Sequence, residues 1–407
     1  MLLIRDIIKN EKGDEQIAIL LPGCIIKGQI ENEEVEVEIS WNELNNSRGY
    51  YNFGKIKEKG EKMEGNSIKL ISKYRTHIMG FAAFWILLFH AWVVVSEQYS
   101  FVWRFEYFIK KTGFAGVDIF FFVSGLGLVH AIEKYSIKEF YIRRFINIYP
   151  AFFLTGIALV FTRNWNIVTF FRNVLGIKFY TESIYQLLWF VPAILTLYLL
   201  FPLYYNFFKK ASNKIEFTAC VWIIWLFLTL ALENIVGNVR PDFFGFTNRI
   251  PIFIVGILVG DILRKKEIIF DRSKWIFTIF GFGLGIYLAY YTSIKGQRFV
   301  VHTSDCCFPN FLIAICGSML LAKLFWMLDT YLKNVGKVIL KVFAIMGIAS
   351  LEIYCAQEEV VLLHHKLEIE NVFLENIITI IIIFVMAWIL YYLCKWIKKG
   401  LGWILIR

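Results

Sequence analysis

The sequence predicts an all-α integral membrane protein with about ten transmembrane helices, preceded by a small β-rich soluble segment. Of the 407 residues, 58% are hydrophobic and only 19% are charged, whereas soluble domains carry roughly 45–50% apolar and about 25% charged residues. The 40 Phe and 13 Trp against 7 Pro favour long helices over the short alternating strands of a membrane barrel. Apolar runs long enough to span a bilayer recur from residue 78 onward.

Residues 1–73 differ from the rest of the chain in pattern. The stretch EQIAILLPGCIIKGQIENEEVEVEIS alternates between apolar and polar residues as β-strands do, with PG and KG as turn signals. KEKGEKMEGNS is typical of a solvated linker. We therefore expect a soluble, β-rich cytoplasmic segment and linker over 1–73, and a ten-helix membrane domain over 74–407. The polar N-terminus of mixed charge is not typical of a cleavable signal peptide.

Ten apolar segments follow in order. Most have the roughly 17–25 residues that a spanning helix needs, and three of them (148–162, 250–263 and 342–357) are shorter. The segments are 78–96, 114–133, 148–162, 187–207, 217–233, 250–263, 275–292, 307–327, 342–357 and 373–394.

The distribution of basic residues predicts the orientation of these helices. If the N-terminus is cytoplasmic, the inner connections carry 20 Lys and Arg and the outer connections carry 11. Basic residues accumulate on the cytoplasmic side of membrane proteins, and RKKEIIFDRSK at 264–274 contributes most. We therefore expect both termini to be cytoplasmic.

The net charge of +10 and the seven cysteines have ordinary explanations in such a protein. Basic loops that face anionic lipid account for the charge, so we expect a bilayer and no nucleic acid as partner. The cysteines form no CxxC and no Cys/His zinc spacing, and most lie in apolar runs. We therefore expect no metal site and no tightly bound cofactor.

An ionisable ring lies within the first apolar run, GFAAFWILLFHAWVVV, at His90. Asp118 lies near the outer start of the second run, at a similar predicted depth, because successive helices run in opposite directions. A carboxylate that binds one ring nitrogen would fix the tautomer and leave the other nitrogen as a general base. Two alternatives remain: His90 is a structural histidine bonded to a backbone carbonyl, or Asp118 only joins the two helices.

Four further polar residues are expected at about the level of His90. Arg249 precedes the sixth apolar segment, and Glu352, Tyr354 and Gln357 lie in the ninth. Ionisable groups inside a membrane usually face the interior of the helix bundle. We therefore expect these four residues to contribute to an oxyanion or acceptor site in an outer-leaflet polar cavity.

Two adjacent arginines, Arg143 and Arg144, stand at the predicted cytoplasmic entry to the third segment. Guanidinium groups bind phosphate bidentately, so the pair is suited to a phosphorylated ligand. Ordinary positive-inside anchoring explains the pair equally well.

Five stretches, in this order, resemble the bacterial membrane acyltransferase-3 family. They cover nearly the whole membrane part, from about residue 74 to 396. The stretches are MGFAAFWILLFHA (79–91), FAGVDIFFFVSGLGL (114–128), FYIRRFINIYP (140–150), LWFVPAILTLYLLFPL (188–203) with RIPIFIVGILVGD (249–261), and SLEIY (350–354).

The resemblance implies a ten-helix enzyme of the bacterial cytoplasmic membrane that takes an acyl group, usually acetyl, from cytoplasmic acyl-CoA. Such an enzyme passes the acyl group to a hydroxyl of a cell-surface or lipid-linked glycan, and so serves polysaccharide O-acetylation in the cell envelope. The resemblance further implies that the histidine matching His90 is essential and that Arg143 and Arg144 bind the donor.

The sequence departs from the family pattern at three positions. The family commonly has an arginine eleven residues before the histidine, where this chain has Met79, with Arg75 one helical turn earlier as a substitute for donor binding. The family's R-x-x-R spacing would place an arginine where Asn147 follows Arg144. A histidine usually follows SLEIY within a few residues, whereas this chain continues CAQEE, which includes Gln357.

These residues predict a membrane O-acyltransferase in which His90, oriented by Asp118, removes the proton from a sugar hydroxyl. One rival is a transporter or flippase for a lipid-linked sugar or an acyl group, which would use the same buried polar residues as a permeation path. Another rival is a catalytically inactive relative, which Met79 and Asn147 would suit.

Overall fold

The computed structural model describes ten ranges of the chain: 4–9, 15–20, 25–30, 33–38, 65–182, 187–236, 241–265, 268–294, 302–364 and 369–405. The chain divides into two compact units, Met1–Glu64 and Gly65–Arg407. The unit that holds the membrane helices therefore begins at Gly65, earlier than the predicted boundary at residue 74.

The first unit contains four strands in two separate antiparallel hairpins. β1 (Ile4–Lys9) pairs with β2 (Glu15–Leu20), and β3 (Ile25–Ile30) pairs with β4 (Glu33–Glu38). The alternating pattern of these segments suits strands with one apolar and one polar face. That the unit is soluble and cytoplasmic stays a prediction.

The described residues of the second unit are mainly helical, with an isolated bridge between Ser67 and Ile269 and a π-helical turn at Tyr290–Ile294. The helices are α1 (Leu70–Lys73), α2 (Arg75–Ala91), α3 (Phe101–Thr112), α4 (Ala115–Lys134), α5 (Ile137–Thr162), α6 (Ile167–Val174), α7 (Ile177–Thr181), α8 (Phe190–Lys210), α9 (Lys214–Val236), α10 (Pro241–Thr247), α11 (Ile250–Lys265), α12 (Arg272–Ala289), α13 (His302–Tyr331), α14 (Lys333–Ile348), α15 (Ser350–His364) and α16 (Val372–Leu405).

Within the described ranges, eight helical segments are long and apolar enough to cross a membrane. A ninth is formed if α14 and α15, whose axes differ by 66° at a short break, make one broken span. The one predicted segment not among these nine is the first, 78–96, which corresponds to α2; this helix has 17 residues and therefore a length of about 25 Å. An all-α membrane protein is confirmed, and the orientation of its termini stays a prediction.

The helix α2 ends at Ala91, five residues before the predicted end of the first apolar segment. The next residues are extended because distant side chains bind their backbone. Asn376 accepts from the Val93 N–H and donates to its carbonyl, and Glu106 accepts from the N–H groups of Val95 and Ser96. His90 therefore lies in the last turn of α2 rather than about 9 Å inside the span.

The helix α5 begins earlier than the third apolar segment predicts. Ser136 caps it by accepting from the Glu139 N–H at 3.2 Å, and helical residues follow from Ile137 to Thr162. Arg143 and Arg144 consequently lie on the helix itself. The short predicted segment 148–162 is only the apolar part of a 26-residue helix.

The helix α2 runs antiparallel to α4, and two glycines set the register. A Cβ at Gly113 would lie 2.5 Å from the Trp85 carbonyl, and one at Gly116 would lie 2.7 Å from the Ala82 carbonyl. We call the end of the bundle at Ala91 the histidine end and the end at Arg75 the arginine end.

The helix α4 packs against α11 in parallel, with backbone against backbone. A Cβ at Gly256 would meet the Phe122 carbonyl, and one at Gly260 would lie 2.6 Å from the Leu126 carbonyl. Small residues permit this close approach between membrane helices. The short helix α10, which precedes α11, therefore lies at the histidine end, as does α3, which connects α2 to α4.

Gly80 provides a sharp test of how α2 packs against α14. A Cβ at this position would collide with the backbone carbonyl of Phe343, which cannot rotate away. We expect Gly80→Ala to lower the free energy of unfolding by about 1–3 kcal/mol or more, because overpacking forces the backbones apart. The measurement is the thermal midpoint of the purified protein in detergent.

Gly283→Ala is the matched control, because a Cβ there meets nothing within 4 Å and the residue lies inside α12. This variant should hold or raise the thermal midpoint, since Ala is the better helix former by about 0.5–1 kcal/mol. Equal midpoints for the two variants would contradict the close packing of α2 on α14.

Candidate functional site

A cavity of about 270 Å³ lies inside the membrane unit, between α2, α4, α5, α8, α14, α15 and α16. Most of its wall is apolar. The polar residues on the wall are Ser124, Asn147, Tyr198, Ser350, Glu352, Tyr354, Gln357 and Lys398.

One face of α2 connects the cavity to His90. Met79, Ala83 and Ile86 line the wall, and their spacing of four and three residues places them on one side of the helix. His90 follows Ile86 by four residues and so continues the same face by one turn. The residue is exposed and is not part of the wall, so the imidazole stands beyond the cavity at the histidine end.

Two residues of α3 surround the end of α2. The Lys110 ammonium donates to the Trp92 carbonyl and its charge acts on the His90 ring. Burial, and then the charge of Lys111, lower the pKa of Lys110. Burial raises the pKa of Glu106, but hydrogen bonds from Ser96, Val95 and Trp92 outweigh this effect, so that its pKa lies below the ordinary value. Glu106 therefore acts as an ionised anchor beside the histidine.

Asp118 does not pair with His90 as predicted. Its carboxylate lies 3.4 Å from the Arg249 guanidinium, and both side chains are buried. Arg249 also donates to the Gly245 carbonyl at 2.5 Å, and its guanidinium lies over the Trp189 ring. Arg249 is thus bound to Asp118 instead of being available for an oxyanion.

Asp118 does not reach His90 because of the register of α2 and α4. Gly116 lies at the level of Ala82 and Ile86, so Asp118 is about 12 Å from the level of His90, measured along antiparallel axes with a rise of ~1.5 Å per residue. Among the described residues no hydrogen bond links His90 to a carboxylate. The pair Asp118–Arg249 joins α4 to the start of α11, whereas the predicted alternative had Asp118 join the first and second apolar segments.

A cluster of cationic and aromatic groups lies at the arginine end. Arg75 and Arg144 lie close enough for their charges to interact, and both are near Tyr198, which lines the cavity. The Nε atoms of both arginines are buried and have no hydrogen-bond partner within the described part of the chain. We call Arg75, Arg144 and Tyr198 the arginine cluster. Unpaired guanidinium groups at the end of a cavity are suited to bind an anion such as phosphate.

Gly127 of α4 positions the Arg75 guanidinium. A Cβ at Gly127 would lie 2.8 Å from Arg75 Cζ and 2.9 Å from Nη1. We expect Gly127→Ala to displace the guanidinium and to raise the KM for a phosphate-bearing substrate about tenfold, because binding groups tolerate little misplacement. Steady-state kinetics measure this effect, and the thermal midpoint should stay near that of the wild type because a flexible side chain can move. A lower midpoint with an unchanged KM would show that Gly127 serves packing alone.

Arg143 lies apart from this cluster. Its guanidinium forms an ion pair with Glu139 at 2.7 Å and lies over the Tyr135 ring. The Arg143 side chain thus contacts Glu139 and Tyr135, whereas the Arg144 guanidinium lies near Tyr198 of the cavity wall. The structure brings Arg144 to the cavity end together with Arg75.

Glu352 lies nearer the arginine end than predicted. It is buried on the cavity wall, and its carboxylate lies 3.5 Å from the Lys398 ammonium. Asn376 binds Val93 at the histidine end. Lys398 lies about 33 Å further along α16, and so at the arginine end. Glu352 is therefore not level with His90, because α15 begins at the arginine end.

Tyr354 and Gln357 lie on the cavity wall at the next turns of α15. The Tyr354 ring meets the edge of Phe190 with ring centres 5.7 Å apart. Gln357 is only 2% exposed. The cavity therefore has a polar side formed by α15 that faces the apolar side chains of α2 and α4.

Met79 and Asn147 both line the same cavity. They are the two positions at which the sequence departs from the arginine pattern. The wall is consequently neutral at these two positions, whereas the charged groups lie on Lys398 and Glu352 of the wall and on Arg75 and Arg144 at its end.

The sequence-based prediction did not include three residues of this site. Lys398 lies beyond the predicted tenth segment, Tyr198 was one aromatic residue among many, and Glu106 lies in a connection. A sequence signal exists for Lys398 alone, since CKWIKK continues the helical spacing of the last segment. Within the described ranges, no three His, Cys, Asp or Glu side chains are grouped so as to hold a metal ion.

Comparison with known proteins gives one match. A family model described as an acyltransferase domain, that of the acyltransferase-3 family, matches residues 78–396. Neither the curated proteins nor the solved structures include a significant match. The matched range contains His90, Arg144 and every residue of the cavity wall except Lys398, and Arg75 also lies just outside it.

Proposed function

The chain belongs to the acyltransferase-3 family of membrane proteins, and we propose that it is an O-acyltransferase that moves an acyl group from acyl-CoA to a hydroxyl of a glycan. The acyl group is most simply acetyl. The acceptor is a cell-surface or lipid-linked saccharide on the far side of a bacterial cytoplasmic membrane. Both termini then lie in the cytoplasm.

One observation carries the proposal: a cavity with unpaired guanidinium groups at one end and a histidine beyond the other. Along α2, Arg75 and His90 are 15 residues and hence about 22 Å apart. Allowing ~3 Å for each polar contact, a donor must reach roughly 16 Å from its phosphate to its reacting carbonyl. The extended linker of CoA has this length, at about 1.5 Å per bond with tetrahedral angles.

In the proposed reaction, His90 acts as the general base. Its imidazole takes the proton of the sugar hydroxyl while that oxygen attacks the thioester carbonyl. The acyl–oxygen bond forms, the acyl–sulfur bond breaks, and the imidazolium returns the proton to the departing thiolate. Such proton transfer is typically worth 10²–10⁴-fold in rate. Arg144 and Arg75 bind the phosphates of CoA at the opposite end of the cavity.

The catalytically inactive relative is favoured by Met79 and Asn147 on the cavity wall, because neutral groups there weaken attraction for phosphate. A transporter of lipid-linked sugar would need the polar groups but no CoA site. Acyl-CoA binding therefore separates the transporter from the other two functions, and turnover separates the enzyme from its inactive relative.

The test is release of free CoA from acetyl-CoA by the purified full chain in nanodiscs, with and without mixed bacterial glycans. We expect thiol release that depends on acceptor, and a mass increase of one acetyl group on the saccharide. Binding of acetyl-CoA without turnover over a broad range of acceptors would support the inactive relative. Absence of both binding and turnover would contradict the proposal.

A further inference from the structure

Gln357 has an unusual environment for an amide inside a membrane protein. It lines the cavity and is 2% exposed, and its Oε1 atom is buried without a hydrogen-bond partner among the residues that the structure describes. An unsatisfied carbonyl oxygen is costly in a dry interior. A ligand in the cavity that donates an N–H would remove this cost.

The position of Gln357 along the cavity is set by α15. This helix runs in the same direction as α2, since Gly347, just before it, lies against Thr76 at the arginine end. Its later residues Ile353 and Val360 belong to the apolar cluster that contains Leu87 and Ala91. Gln357 consequently lies toward the histidine end of the cavity.

The residues of α2 and α4 that line this end offer no donor to Gln357. They are Ala83, Ile86 and Val117, all of which have hydrocarbon side chains. Since no described side chain donates to the Gln357 Oε1 atom, an N–H of a ligand in the cavity would supply the partner. At this depth the ligand is close to its reacting end, because His90 stands one turn beyond Ile86.

We propose that Gln357 accepts a hydrogen bond from the amide N–H of the donor that lies nearest its thioester. The inference rests on the proposed function, in which the donor is an acyl-CoA. The linker of CoA carries two secondary amides, and the one nearer the sulfur is separated from it by two carbons. The N–H of that amide lies about 5 Å from the thioester carbonyl in an extended chain. Gln357 is thus a specificity-determining residue that selects amide-bearing thioesters and fixes the carbonyl near His90.

The experiment compares two full-length donors that differ in one atom. One is acetyl-CoA, and the other is its analogue in which oxygen replaces the N–H of the amide nearest the sulfur. Wild-type protein should use acetyl-CoA about tenfold more efficiently in kcat/KM, which is the size expected for one hydrogen bond. Gln357→Met and Gln357→Leu should bring the ratio of the two donors close to one.

Asn147→Leu is the matched control, since it removes another amide from the cavity wall. We expect this variant to keep the tenfold ratio, whatever its own activity. The thermal midpoint of ligand-free Gln357→Met should equal or exceed that of the wild type, because the Oε1 atom has no partner there. If one of the two Gln357 variants fails to fold, the donor ratio of the wild type and the donor ratio of the other Gln357 variant still test the inference.

The outcomes separate this inference from the proposed function. A wild-type ratio near one, or a ratio that persists in both Gln357 variants, would overturn the role of Gln357 while acyl transfer stands. No binding or turnover of acetyl-CoA by the wild type would overturn the proposed function itself. A tenfold ratio that is lost only in the Gln357 variants supports both.

Discussion

Replacing His90 with Ala or Gln should lower kcat for acetyl transfer by 10²–10⁴-fold, the usual contribution of a general base. Because His90 lies outside the cavity wall and about 22 Å from Arg75 along α2, both variants should still bind acetyl-CoA with nearly the affinity of the wild type. Gln keeps hydrogen-bonding groups but cannot accept the proton, so it separates basicity from packing. The measurements are CoA release and donor binding on the same nanodisc samples.

Asp118→Asn is the informative companion to the His90 variants. Because Asp118 pairs with Arg249 rather than with His90, its replacement should lower the thermal midpoint and leave the acid limb of the pH–rate profile in place. If Asp118 oriented the imidazole, Asp118→Asn would instead shift that limb.

Turnover that survives in either His90 variant would assign His90 to packing.

Replacing Arg75 or Arg144 with Ala should raise the KM for acyl-CoA by about 10- to 100-fold, since each change removes charge-assisted hydrogen bonds to phosphate. The effect of Arg144→Ala should weaken for truncated thioesters that lack the phosphates. Arg143→Ala is the control next to it in sequence. Its guanidinium is already paired with Glu139 on the helix surface, where such pairs contribute only about 0.3–0.5 kcal/mol.

The expected result is therefore a sharp difference between two adjacent arginines. Kinetics with acetyl-CoA, and binding measured at two salt concentrations, would reveal it. A larger loss of donor affinity in Arg143→Ala than in Arg144→Ala would mean that the donor approaches from outside the cavity. Equally small losses of donor affinity in all three variants would show that the arginine cluster does not bind the donor.

Much of the architecture was predictable because the length of an apolar segment and the charge of its flanks are properties of short stretches of sequence. The spans around 114–133 and 187–207 correspond closely to α4 and α8. The start of α5 was predictable too, because Ser136 and Glu139 have the S-x-x-E spacing of a helix N-terminus. Counting apolar residues alone overlooked that signal.

The relative depths of polar residues were not predictable. Asp118 was expected beside His90 because their distances from the ends of two apolar runs are similar. The end of α2 is decided instead by Asn376, whose amide binds Val93 from a distant part of the chain. The register against α4 depends on how closely Gly116 approaches α2, which only the packed structure reveals.

The pairing of Glu352 with Lys398 was not predictable either, because it depends on how far α16 extends. The predicted tenth segment ended at 394, whereas α16 continues as a helix to Leu405. A lysine there was counted as part of a basic cytoplasmic tail. In the structure it lies over the cavity, because the stem of a long side chain can cross apolar surface while its charge reaches a carboxylate.

The glycine contacts between α4 and α11 determine which wall of the cavity can move. With the Gly256 and Gly260 backbones against the carbonyls of α4, these two helices behave as one rigid body, held further by Asp118 and Arg249. Passage of substrates into and out of the cavity then depends on the opposite wall. There α14 is itself packed closely on α2 at Gly80 and Gly347, and the chain turns by 66° around Ala349 before α15 begins, so we expect any opening to involve α15 rather than α14.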